Sequence, residues 1–480
     1  MFWRGVWGYL PANIVTGLTG FLGLVIFTRL LQADDYGRYA LAFSVMTLSH
    51  VAVFTWLEAA MARFWAAESG QALKDHFHSL YRATLTLAAV FIPVAAGVIL
   101  ALPVDAPLKI AIAAGVLGAP LRCLNKLAQE RFRASGEVAR AAAVDIVTAV
   151  AGLAIGVGFA LAGAGGAAPL LGLTLAPLLT LPFVLPTEWR RGLGGRYLRD
   201  RLRAYASYGY PIAAALALSL VLASTDRFLL AAFLDEAAVG AYHAAYSLSN
   251  RTLDVMFIWL GSAGAPALVM ALERSGRKGL EVAAREQAST FLLLALPSAA
   301  GLALVARPLA EIMIGDELRV ATASVTPLIA LSALMAGLTT YYFGQAFTLA
   351  RNTRRLFAAM AIPAVSNIVL NLLLIPLFGL IGAALATVLS YALGLAATLV
   401  LGRRVLALPI PWRALLSCGL ATGVMTVAVL TLPSPGGWAE LILKAGVGAG
   451  VYALAALAFD AGGVRRLARS RLSRAVEQPA

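Results

Sequence analysis

Six side chains that could do chemistry sit inside two apolar runs. Asp226 and Arg227 are adjacent in LVLASTDRFLLAAFL, and His243, Asn250, Arg251 and Asp254 lie in VGAYHAAYSLSNRTLDVMFIWLG. The two runs belong to spans at about 208–234 and 239–264, each long enough to cross a bilayer as a helix, and a charge held there costs several kcal/mol unless it faces a bundle interior or a water-filled cavity. His243, Ser247, Asn250 and Asp254 step by four, three and four, so they share one helical face. The residues after them, Phe257 to Leu260, are apolar again. A polar stripe let into a lipid-grade helix predicts a central, wet, charged cavity. Arg227 and Arg251 either line that cavity or pair locally with Asp226 and Asp254.

Other spans carry scattered polar groups. Thr47 and Glu58 fall on roughly one face with His50 beside them, and Arg122 lies near the inner end of its span. Asn13, Asp145, Asn367 and Asn371 read as interhelical hydrogen-bond partners, which hold multispan bundles together at modest net gain. Arg29, near a span end, either reaches the cavity or snorkels to the outer interface. His76 and His78 fall in a polar stretch and are expected in solvent.

Composition sets the frame for these groups. The chain has 480 residues, 60% of them hydrophobic and 13% charged, where a soluble domain carries about 25% charged residues. The net charge of +14 comes from basic residues in short loops between apolar spans, so it marks membrane topology and excludes nucleic acid as a partner. Cys123 and Cys418 each lie in an apolar span, without a CxxC or a paired framework, and the four histidines show no metal-ligand spacing. No Ser/His/Asp cluster or phosphate-cradling glycine loop appears. No catalytic, cofactor-binding or metal site is therefore expected from these residues. Without a nucleotide-binding motif, three classes remain: secondary transport, a passive pathway, or a membrane enzyme acting on a lipid-linked substrate.

The elements that must position these residues are fourteen spans of about 20 residues, the length that a hydrocarbon core of about 30 Å requires. They fall at 9–31, 39–60, 84–103, 108–124, 142–162, 167–186, 208–234, 239–264, 288–306, 320–346, 356–376, 379–402, 414–432 and 441–461. With the N-terminus inside, 29 of the 38 Lys and Arg residues fall in inner segments, six in outer segments and their flanks, and three deeper within spans. This bias predicts a multi-pass protein of the cytoplasmic membrane with both termini in the cytoplasm.

The chain also repeats itself. Gly8-Tyr9 with Pro11 recurs as Gly209-Tyr210-Pro211, and Arg29-Leu30-Leu31 as Arg227-Phe228-Leu229. Gly37, Tyr39 and Ser44 recur as Gly240, Tyr242 and Ser247, and Gln129 with Gly136 matches Gln345 with Asn352. The offset is six spans, an even number, so both halves share one orientation. This predicts an all-α polytopic fold of two six-helix lobes, 1–186 and 208–402, related by a pseudo-twofold along the membrane normal. A basic cytoplasmic linker, 187–207, joins them. A helix pair, 403–461, and a basic cytoplasmic tail, 462–480, follow.

Three runs carry a resemblance: FTRLLQADDYGRYALAFSV (27–45), TDRFLLAAFLDEAAVGAYHAAYSLSN (225–250) and NLLLIPLFGLIGAALATVLSY (371–391). They resemble polysaccharide transporters of the multidrug/oligosaccharidyl-lipid/polysaccharide exporter superfamily, which include the O-antigen and exopolysaccharide flippases. The resemblance covers most of residues 1–400. It implies two six-helix lobes around a central cavity, alternating access, and movement of undecaprenyl-diphosphate-linked sugars across the inner membrane for lipopolysaccharide or exopolysaccharide synthesis. It implies as partners the lipid-linked oligosaccharide, membrane lipids and other polysaccharide-assembly proteins. Cavity arginines would meet the diphosphate, a role carried here to Arg227, Arg251 and, at the outer edge, Arg29. Arginine suits it because the planar guanidinium makes bidentate, charge-assisted bonds to phosphate. Asp226 and Asp254 would keep the empty site near neutral, with His243 and Asn250 on the adjoining stripe. A peptidoglycan-precursor flippase and a cation-coupled drug exporter of the same superfamily are the near alternatives. A membrane sugar polymerase or ligase is the distant one, and the short outer loops speak against it.

Overall fold

The computed structural model describes residues 2–65 and 68–465, without the side chains of 2–10, 222 and 353. Most of the basic tail, from residue 466 onward, lies outside the described residues. Every regular element among the described residues is helical. That follows from the solvent: hydrocarbon offers no partners, so each backbone N–H and C=O must be satisfied within its own segment.

Among the described residues, twelve helices are long and apolar enough to cross a membrane. Two of them are too long for one crossing, Glu236–Leu304 with 69 residues and Thr353–Arg403 with 51. Each breaks at a glycine in the left-handed half of backbone space, Gly276 at φ 61° and Gly379 at φ 58°, where a side chain would be strained. Each is therefore two passes, and the fourteen helices match the fourteen spans read from sequence. We number them α1 (Phe2–Leu30), α2 (Ala33–Phe64), α3 (Gly70–Ala101), α4 (Ala106–Ala134), α5 (Val138–Leu161), α6 (Gly165–Arg191) and α7 (Arg199–Phe233). Then come α8 (236–275), α9 (277–304), α10 (Asp316–Leu349), α11 (353–378), α12 (380–403), α13 (Trp412–Leu430) and α14 (Gly437–Ala458). Short interruptions divide α4 near Leu117 and α6 near Ala176.

The helices outrun the apolar spans. The polar stretch before residue 84 is the first part of α3, and the stretch 265–287 is helical on both sides of Gly276. Hydropathy marks only the apolar part of a helix, whereas its hydrogen-bond ladder continues into the polar flanks. His76, expected in solvent, is instead fully buried on α3, and its Nδ1 lies 2.6 Å from the Tyr205 hydroxyl of α7.

By its contacts the chain divides into two compact units, Met1–Gly240 and Ala241–Ala480. In the first, α2 is the hub, packed by α4 and by α7. Its core includes Phe54, Leu57, Met61, Phe77, Leu80, Cys123 and Leu127. α5 lies against α1 and α6. A side-chain carbon at Gly172 would collide with the Gly152 backbone, so small residues set that close α5–α6 approach. The 187–207 stretch is pinned to this unit. The Arg196 N–H donates to Asp75 Oδ1 at 2.7 Å, Gln71 Nε2 donates to the Gly194 carbonyl at 2.9 Å, and Arg201 pairs with Glu68 at 3.1 Å.

In the second unit, Leu253, Phe257, Leu268, Phe291, Leu334 and Tyr342 form the core. Cys418 of α13 and Ala455 of α14 pack with Leu292 of α9, where the Tyr452 hydroxyl donates to the Leu293 carbonyl at 2.6 Å. Large apolar side chains also cover the outside, Phe183 at 83% exposure and Leu100 at 75%. Such a surface belongs in lipid.

Candidate substrate pockets in the two units

The first unit holds a charged pocket between α2 and α4. On α2, Thr47, His50, Thr55 and Glu58 recur at helical spacing and face one side. On α4, Arg122, Lys126 and Glu130 form an i, i+4, i+8 row on one face. α2 packs on the second half of α4, so the two rows meet around a cavity of about 310 Å³, closed on a third side by Leu216 of α7. His50 Nε2 lies 2.7 Å from Glu58 Oε1, and both side chains are buried. Arg122 Nη1 and His50 Nδ1 are buried and have no hydrogen-bond partner among the described residues. An orphaned guanidinium nitrogen in such a place costs free energy until an acceptor arrives. The pocket can therefore receive a polar, anionic group.

The sequence places Thr47, Glu58 and His50 on roughly one face of α2, but nothing within it brings Arg122 of α4 to them. The available signal was the four-residue spacing of Arg122, Lys126 and Glu130. What was missing was the tertiary contact that turns the α4 row onto α2.

The second unit holds a different pocket, of about 200 Å³. Tyr246, Asn250 and Asp254 reach it from α8, Ser332, Thr340 and Tyr341 from α10, and Tyr391 from α12. A single π-helical turn, Thr339–Phe343, carries Thr340 and Tyr341. Such turns are rare and frequent at functional sites. α8 and α10 approach closely here, because a side-chain carbon at Gly337 would run into the Phe257 ring and one at Gly261 into the Tyr341 ring. Phe257 and Tyr341 stack at 6.0 Å between centroids.

The residues singled out from sequence divide between the units. In the first, Asp226 and Arg227 are buried on α7, with Arg227 Nη1 donating to the Ala223 carbonyl one turn back at 2.7 Å. Arg29 is exposed in the last turn of α1. In the second, Asn250 and Asp254 come together in the pocket and His243 is half-buried. Arg251 is exposed, and no ion pair joins it to Asp254 among the described residues. The expected interhelical role of Asp145 is met by Arg133 Nη2 of α4 at 3.2 Å, while Asn371 Nδ2 donates to the Asn367 carbonyl of its own helix at 2.9 Å.

Away from both pockets, Arg131 is buried in an ionic cluster. Its Nε meets Glu188 Oε1 at 2.8 Å and its Nη1 meets Glu137 Oε1 at 2.6 Å. Arg140 also holds Glu137, at 2.7 Å. Glu137 lies in the turn between α4 and α5. Partial burial pushes its carboxyl up, but the hydrogen bond and charge of Arg131, with Ser135 and Arg140, outweigh that and hold it down at about 2.

The fold is that of known membrane transporters. A structure described as lipid II flippase MurJ, in an inward closed conformation, matches 96% of this chain and 99% of its own at 15% identity, with a TM-score of 0.77. An inward-facing multidrug resistance MATE family transporter of the MOP superfamily matches 81% of this chain and 94% of its own at 13% identity, with a TM-score of 0.66. A MOP superfamily transporter from Pyrococcus furiosus, described as having a binding pocket of reverse polarity, matches 83% and 92% at 13% identity, with a TM-score of 0.51. No curated protein matches the chain by sequence. The family model for "Polysaccharide biosynthesis protein" matches residues 26–323, more than half of the chain. With fourteen lipid-length helices, a transporter fold and that match, the chain is a multi-pass membrane protein that belongs to the polysaccharide biosynthesis protein family.

Proposed function

We propose that this protein is a flippase that moves undecaprenyl-diphosphate-linked oligosaccharide across the bacterial cytoplasmic membrane, serving lipopolysaccharide or exopolysaccharide synthesis. The observation that carries this reading is family membership in polysaccharide biosynthesis on a chain folded as a transporter. The pockets support it chemically. The substrate has an apolar tail that can stay in lipid, an anionic diphosphate and a polar glycan, and only the last two need shelter from hydrocarbon.

Arg227, Arg251 and Arg29 are assigned to the diphosphate, for which the guanidinium fork is suited. Arg122 and Lys126 offer a further cationic contact in the first unit. Transport proceeds by alternating access, with both termini on the cytoplasmic side and other polysaccharide-assembly proteins as partners. Such a protein performs no bond chemistry on its cargo.

Deletion in the native bacterium tests this reading. Surface polysaccharide should be lost, with the undecaprenyl-linked oligosaccharide accumulating in the membrane, and wild-type protein should restore export. Retained surface polysaccharide together with arrested cell-wall synthesis would favour a peptidoglycan-precursor flippase. Retention of both with heightened drug sensitivity would favour a drug exporter.

A further inference from the structure

We infer that the pocket of the second unit is a subsite for a single sugar ring of the lipid-linked glycan, an assignment that rests on the flippase reading above. Among the described residues, no arginine, lysine or histidine lines this pocket. It is therefore no place for a diphosphate, although Arg251 lies only three residues from Asp254. The Asp254 carboxylate is half-buried on α8, a helix long and apolar enough to cross a membrane, and no ion pair holds it among the described residues. An ionised carboxylate is acceptor-only and calls for donors. A carboxylate in this setting is costly unless its ligand brings them.

Vicinal hydroxyls are such donors. Two neighbouring O–H groups can bind the two Asp254 oxygens, and an O–H to a carboxylate is a short, charge-assisted bond. Asn250, one turn back on the same face, adds two donors and an acceptor, enough to read the orientation of a further hydroxyl. Tyr341 and Tyr391 supply what a sugar also needs, an apolar ring face with a polar tip. The C–H side of a pyranose can lie on such a face. The π-helical turn adds the Thr340 hydroxyl beside Tyr341. At about 200 Å³ the cavity is smaller than the ~300–1,000 Å³ of sites for drug-sized ligands, so it takes one ring rather than the whole chain.

The test uses the full-length protein in lipid nanodiscs and two probes, undecaprenyl diphosphate without sugar and the undecaprenyl-diphosphate-linked oligosaccharide of the producing cell. Binding is read by native mass spectrometry. Wild type should bind both, the sugar-bearing lipid more tightly. Asp254→Asn, an isosteric change, and Asn250→Ala should each weaken the sugar-bearing lipid by about tenfold. Both should leave affinity for the sugar-free lipid within about twofold. Equal weakening for both probes, or no weakening in either variant, would overturn the subsite. So would a sodium-dependent stabilisation that Asp254→Asn abolishes while sugar discrimination persists, since the pocket would then hold a cation. Failure of wild type to bind either lipid would instead overturn the flippase reading, and the subsite with it.

Discussion

Arg251 and Asp254 are three residues apart on α8, yet the carboxylate lines the pocket of the second unit while the guanidinium is exposed. Three residues turn an α-helix by about 300°, which leaves roughly 60° between the two side chains. That angle lets neighbouring charges serve different ligands. If Arg251 meets the diphosphate, Arg251→Ala should slow glycan export by roughly ten- to a hundredfold, the loss of one charge-assisted bond. Arg251→Lys keeps the charge without the fork and should retain part of the activity. As a surface change, Arg251→Ala should leave the melting temperature of the purified protein within about 1 °C. Normal export by Arg251→Ala at normal protein level would remove this residue from the site.

The buried Arg131–Glu188 pair makes a stability prediction. Removing one partner of a buried ion pair typically costs about 3–5 kcal/mol, because it strands the other charge. Arg131→Ala should therefore be strongly destabilised, seen as a lower melting temperature and lower membrane abundance. Arg131→Met with Glu188→Leu removes both charges and should recover much of the loss, although Glu137 would still lack its Arg131 contact. Equal melting temperatures for wild type and Arg131→Ala would show that the pair contributes nothing.

Glu137 gives that cluster a pH dependence. Its carboxyl is held at about 2 in the folded protein, against about 4.3 for an unfolded chain. A depressed carboxyl stabilises the fold above the unfolded value, and that stabilisation is lost as pH falls through the folded one. Melting temperature should therefore drop between about pH 4.5 and pH 2, and Glu137→Gln should flatten part of that drop. An unchanged slope in the variant would assign the acid sensitivity to other groups.

Sidedness can be checked with two conservative substitutions, because Cys123 and Cys418 are both buried. Ser275 is exposed beside the Gly276 break, in a segment read as inner, and Ser434 is exposed between α13 and α14, in a segment read as outer. In intact cells an impermeant thiol reagent should label Ser434→Cys and spare Ser275→Cys. The reverse pattern would invert the topology.

The passes were legible because hydrocarbon leaves the backbone few choices, and because misplacing one span would have scrambled the Lys/Arg alternation. Helix length was less legible: residues 70–83 are too polar to register as a span, yet their ladder continues from α3 and buries His76 against Tyr205. Of the site, the stripe through Asn250 and Asp254 was visible as spacing on one helix. The pocket around His50, Glu58 and Arg122 was not, since it depends on how α4 is rotated against α2. No pattern within one helix carries that. The π-helical turn at Thr339–Phe343 likewise has no mark in hydropathy.

The most direct measurement of the central claim is translocation itself. The purified protein is reconstituted into liposomes whose inner leaflet carries undecaprenyl-diphosphate-linked oligosaccharide, and a glycosidase outside reports each sugar that emerges. The account predicts protein-dependent emergence of the lipid-linked sugar, reduced at least tenfold by Arg227→Ala combined with Arg251→Ala. Sugar that stays protected in protein-containing liposomes as it does in empty ones, under every ion gradient applied, would contradict it.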